Sequence, residues 1–73
     1  MDKQERIKLM EEVMDLEEGT LSEGDELSSY EEWDSLSVLA FMSTLTSKFH
    51  KHVKPQEIKR LVTVADAINL MEE

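Results

Sequence analysis

Between positions 38 and 49 the apolar residues of this chain keep to helical spacing. Placed at 100° per residue, Val38, Leu39, Phe41, Met42, Leu45 and Phe49 share one broad side. Ser37, Ala40, Ser43, Thr44, Ser47 and Lys51 take the other, and Leu36 falls with them, off the apolar stripe. A helix is therefore expected from Asp34 or Ser35, one of which caps it, to about Phe49 or His50. Nowhere does the chain alternate apolar and polar residues as a half-buried strand would, and no segment repeats. Any core must then be built helix on helix.

The flanking segments agree. Asp2 and Glu5 form a D-x-x-E cap ahead of Ile7, Met10, Val13 and Met14, a stripe widened by Leu9 and Leu16. This predicts a first helix over about 3–18, with Gly19 as its stop. Pro55 suits the first turn of a short helix over about 56–61. Thr63 and Asp66 repeat a capping pattern ahead of Val64, Ala67, Ile68 and Met71, which predicts a last helix over about 64–72. The first two helices are joined by "GTLSEGDELSSYEEWD", a long connection in which Leu21, Leu27, Tyr30 and Trp33 are spaced to pack down at intervals. Val53 anchors the later connector, "HKHVKPQ". The expected fold is all-α: a small antiparallel bundle of three longer helices plus one short helix, with a long loop after helix 1, in one domain spanning 1–73.

A chain of 73 residues buries a modest fraction of its surface, and without cysteine it has no disulfide or thiolate metal site to staple it. The net charge is -9, and it is uneven. Residues 1–34 carry 13 carboxylates against 3 basic side chains, whereas residues 35–73 carry 4 against 5. That balance disfavours nucleic acid and anionic membranes and favours protein partners with basic patches. No stretch approaches the roughly 20 apolar residues that span a bilayer, and "MDKQERIKLM" lacks the apolar run of a signal peptide. A soluble, cytoplasmic, monomeric protein without membrane insertion is expected. Seven carboxylates in the first helix and its end (Asp2, Glu5, Glu11, Glu12, Asp15, Glu17, Glu18) face only Lys3, Arg6 and Lys8. Their mutual repulsion should lower Tm at low salt, and a Tm unchanged between low and moderate salt would contradict this.

Chemistry within the chain is scarce. His50 and His52 lie beside Lys51 and Lys54, and no third metal ligand is placed near them. The acidic loop fails as a calcium loop. Counted from Asp15, the twelfth position is Glu26, but the sixth, which wants glycine, is Thr20, and the fifth is Gly19. No glycine-rich phosphate loop and no nucleophile elbow is present. What remains is "EEWDSL", Glu31 to Leu36, with a serine directly behind an aspartate at the head of the apolar helix. An anion attached at such a helix start meets unpaired N–H groups and the positive end of the helix dipole.

Beyond those six residues, "WDSLSVLAFMSTLTSKF" followed by "HKHVKPQEIKRLVTVADAINLM" resembles the acyl carrier protein family over nearly the whole chain. The family's D-S-L motif opens its second helix, Phe49 closes it, Val53 takes the apolar connector position, and "LVTVADAINLM" is similar to the segment leading into the last helix. The resemblance implies that Ser35, beside Asp34, carries covalent 4'-phosphopantetheine, donated by a phosphopantetheinyl transferase. The chain would then be a shuttle and not an enzyme. It would hold an acyl thioester for acyl-loading and acyl-transferring enzymes with basic docking patches, meeting them through Glu31, Glu32, Trp33, Leu36, Ser37 and Ala40. Met10, Met14, Met42 and Met71 are candidates for sheltering the cargo. Two features depart from the family. The exposed side of helix 2 (Ser37, Ala40, Thr44, Ser47, Lys48) has no carboxylate, and Trp33 stands where housekeeping carriers commonly have a small residue. Both lean toward a specialised lipid, polyketide or surface-glycan pathway. An aminoacyl or peptidyl carrier and a cofactor-free acidic interaction domain of carrier-like fold remain as alternatives.

Overall fold

Side-chain caps, or in one case a proline, mark where each described helix begins. In the computed structural model, which describes residues 2–71, the Asp2 carboxylate accepts from the Glu5 N–H at 2.8 Å and starts α1, Lys3–Val13. Asp34 starts α2, Ser35–Phe49. Pro55 opens α3, Pro55–Lys59, where its missing N–H costs nothing. Thr63 and Asp66 cap each other reciprocally at the head of α4, Val64–Asn69. A single 3-10 turn, Leu27–Ser29, interrupts the long first connection. The described residues are mostly helical and contain no strand; Glu26 and Thr63 form one isolated bridge.

Helix ends are where the sequence misleads. The first helix stops at Val13, not near residue 18, and Gly19 does not stop it. Asp15 does, by taking the left-handed conformation at φ 58°. The Leu16 N–H then reaches the Glu11 carbonyl at 2.8 Å and the Asp15 N–H reaches Glu12 at 3.2 Å, satisfying two orphan carbonyls. Similarly, His50 at φ 55° ends α2, and the Lys51 N–H closes back on Leu45 at 3.0 Å. The third helix covers 55–59 instead of about 56–61. The fourth ends at Asn69, and the last part of its expected span lies outside the described residues.

The core is continuous. Leu9 and Met10 from α1, with Met14 at its C-terminal cap, meet Phe41, Leu45 and Phe49 from α2, Ile58 from α3, and Val64, Ala67 and Ile68 from α4. Helix α1 packs on α4 and α2, and α2 packs on α3. Leu21 and Leu27 bury themselves from the long connection, with Tyr30 and Trp33 half-buried, so that segment does pack down at intervals. Backbone bonds tie it to the start of α4: Leu27 N–H to Val62 O, Val64 N–H to Asp25 O, and Ala65 N–H to Glu23 O, each at 2.9 Å. With Asp66 N–H on Thr63 Oγ1, the first three N–H groups of α4 all have acceptors.

One carboxylate of α1 is withdrawn from solvent. Glu11 is buried, and its Oε2 accepts from the Leu21 N–H at 2.8 Å, which staples the connection onto the helix. Glu11→Ala leaves that buried N–H without an acceptor and should cost about 1–3 kcal/mol. Glu11→Gln keeps an acceptor in place and should cost clearly less. Denaturant titration of both variants checks this, and equal losses would show that the contact is not what matters.

Candidate functional site

Ser35 is the first residue of α2, and its side chain is exposed. Among the described residues its hydroxyl enters no hydrogen bond, so its oxygen is open to reagents from solution. The residues on either side are more constrained. Asp34 Oδ1 accepts from the Leu36 N–H at 3.1 Å and the Ser37 N–H at 3.0 Å. Ser37 Oγ in turn accepts from the Asp34 N–H at 2.8 Å and donates to the Glu32 carbonyl at 2.6 Å. This reciprocal box fixes the chain from Glu32 to Ser37, so the hydroxyl of Ser35 projects from a rigid turn.

Ser37 therefore does not lie on the exposed side. It is only 5% exposed, its hydroxyl is spent in the cap, and it offers a partner nothing to touch. Leu36 is 76% exposed, off the apolar stripe as its position on the helix predicts. Leu39 corrects the stripe in the other direction, because it is 59% exposed where a core contact was expected. It lines the groove between α2 and α3 described below. Glu31, Glu32 and Ala40 are exposed, as are Ser43, Ser47 and Lys48, so the outer side of α2 has no carboxylate and one cation. Trp33 is half-buried and meets Phe41 edge to face, with ring centroids 5.9 Å apart and planes at 67°.

A groove of about 470 Å³ runs beside the hydroxyl. One wall is Trp33, Asp34, Ser35, Val38, Leu39 and Met42, and the other is Pro55 and Lys59 from α3. Of the four methionines considered as shelter for a cargo, only Met42 lines it; Met10, Met14 and Met71 are sealed in the core. A second groove, about 430 Å³, lies between α1 and the Gly19 turn and is walled by Glu5, Lys8, Glu11 and Glu18. It contains no part of the α2 start and has no bearing on the Ser35 hydroxyl. No group of three or more His, Asp or Glu side chains among the described residues is placed to hold a metal ion. No helix among them is long and apolar enough to cross a membrane.

Electrostatics at the α2 start follow from the box. The Ser37 N–H, helped by the Ser37 hydroxyl and the Leu36 N–H, holds the Asp34 carboxyl below its ordinary value of 3.8. Asp66 is lowered by the Thr63 and Val62 N–H groups. Asp25 is lowered by the Tyr30 hydroxyl, which donates at 2.8 Å, and by the Ser22 N–H. A carboxylate depressed on folding contributes stability that is present above its unfolded value and is lost as pH falls through its folded value. Tm should therefore drop steeply below about pH 4. The Asp25→Asn, Asp34→Asn, Asp66→Asn triple variant should have a flatter acid limb in a Tm-versus-pH series. An unchanged limb would contradict the assignment.

The same box changes how an anion on Ser35 would be received. The Leu36 and Ser37 N–H groups already serve Asp34, which leaves only the Ser35 N–H without an acceptor among the described residues at the head of α2. Lys59 is a groove residue that the sequence does not single out. Its signal was the spacing of four from Pro55, which puts both on one side of α3, but nothing in the sequence says that this side faces α2. Compared with models of known families, with curated proteins and with solved structures, the chain finds no match.

Proposed function

We propose that the chain is an acyl carrier protein modified at Ser35 with 4'-phosphopantetheine. The observation that carries this proposal is an exposed, unengaged hydroxyl on the first residue of α2, held on a rigid turn beside an open groove. The residues fit the group. Ser35 supplies the oxygen, the groove gives the arm a surface to lie along, and no neighbouring histidine is needed because the transferase brings the base.

In the modification, Ser35 Oγ attacks the phosphorus of coenzyme A that bears the pantetheine arm. An Oγ–P bond forms, the P–O bond to adenosine bisphosphate breaks, and the hydroxyl proton passes to the transferase. Once attached to Ser35, such an arm would supply the terminal thiol for carrying an acyl cargo. The chain itself has no cysteine to compete for that cargo. Catalysis belongs to the partner enzymes; this protein presents and shuttles.

Partners would meet Leu36 and Ala40, with Glu31 and Glu32 offered to basic groups. The outer side of α2, without a carboxylate and with Lys48 exposed, gives a purely basic docking patch little to hold, which supports a specialised lipid, polyketide or surface-glycan pathway over housekeeping fatty-acid synthesis. The fold expected for this role is a small antiparallel bundle acting as a cytoplasmic monomer. Incubation with a broad-range phosphopantetheinyl transferase and coenzyme A, followed by intact-mass measurement, should show one added phosphopantetheine per chain. No gain in mass would remove the basis of the proposal.

A further inference from the structure

A phosphodiester rooted at Ser35 enters a negative neighbourhood. Asp34 is adjacent and ionised, with its carboxyl lowered by the cap, and Glu31 and Glu32 lie exposed just upstream. The head of α2 gives little relief, since Asp34 already accepts from two of its N–H groups. Like charges at such spacing repel unless a cation intervenes.

The groove supplies one. Lys59 lines it opposite Ser35 and is exposed. The ion pairs among the described residues are Lys3 with Glu23 and Lys8 with Glu18, and neither involves Lys59. From the adjacent segment only Glu57 brings a carboxylate, against Lys48, Lys51, Lys54, Lys59 and Arg60. Lys59 thus brings an unspent charge to a groove whose α2 wall holds Ser35 together with the apolar Val38, Leu39 and Met42. Tethering the anion to Ser35 holds it at high effective concentration beside that charge.

We propose that Lys59 is the counter-ion of the phosphodiester on Ser35 and positions the root of the arm along the α2–α3 groove. This rests on the function proposed above. Lys59 does not take part in attaching the arm; it acts on the arm once attached. Its contribution is electrostatic and salt-sensitive, and arginine should replace it.

The test is a cycle of apo and modified protein for the parent, Lys59→Gln, Lys59→Arg and, as a neighbouring control, Lys54→Gln. Intact mass first establishes modification in each. At low salt, modification should change Tm more favourably by about 2–4 °C in the parent, Lys59→Arg and Lys54→Gln than in Lys59→Gln. The difference should vanish at high salt. The phosphorus-31 resonance of the modified protein should move in Lys59→Gln and stay in place in Lys54→Gln. Full modification with the same Tm change and the same resonance in Lys59→Gln would overturn the role of Lys59 and leave the carrier function standing. No gain in mass in any of the four would overturn both.

Discussion

Ser35→Ala is expected to abolish phosphopantetheine transfer completely while leaving the helices intact. The loss is total because the oxygen that forms the new bond is removed, and no other residue sits at the first position of α2. Stability should change by less than about 0.5 kcal/mol, since the side chain is exposed and alanine is a good helix former. Asp34, not Ser35, supplies the capping bonds, so the cap survives the substitution. Intact mass after incubation with transferase and coenzyme A, paired with a thermal melt, checks both halves. Residual modification of Ser35→Ala would mean another hydroxyl is the acceptor. A large fall in Tm would mean that Ser35 has a structural duty which its exposure gives no reason to expect.

Phe41→Ala is expected to produce the largest loss of stability. Phe41 is fully buried at the centre of the α2 contribution to the core, and it backs Trp33 edge to face. Deleting a buried phenylalanine ring typically costs about 3–5 kcal/mol through lost transfer energy and the cavity left behind. A domain of this length holds roughly 4–11 kcal/mol in total at typical values per residue. The variant should therefore be partly unfolded at moderate temperature. Phe41→Leu, which refills most of the space, should retain the fold. The effect reaches the site, because Trp33 forms one wall of the groove and loses its support. Denaturant titration followed by Trp33 fluorescence reads stability and groove packing together. A loss below about 1 kcal/mol would show that the core closes over the gap, and the link between core and groove would fail.

The second helix was legible almost to the residue. An acidic cap, a single long apolar stripe and an aromatic closing residue all pointed to the same span, and Ser35–Phe49 is what formed. The Thr63–Asp66 cap was legible for the same reason, since a reciprocal box is a local device that needs no tertiary partner. The end of α1 was not, because aspartate signals the left-handed region far more weakly than glycine does, and Gly19 drew the boundary toward itself. Ser37 and Leu39 were misplaced by the same shortcoming. A helical wheel gives angles, but it does not say which flank of α2 its neighbours leave uncovered, or that the Ser37 hydroxyl will bond its own cap. Glu11 is indistinguishable in the sequence from the other carboxylates of the first helix, and only the folded connection brings the Leu21 N–H onto it. Lys59 became visible as a site residue only once α3 was laid against α2.

The most direct measurement is peptide-level mass spectrometry of the protein isolated from its native cell. Phosphopantetheine, bare or loaded, should be found on the peptide that contains Ser35 and on no other. An unmodified Ser35 peptide throughout, or the group on Ser43 or Ser47 instead, would contradict the carrier function at its root.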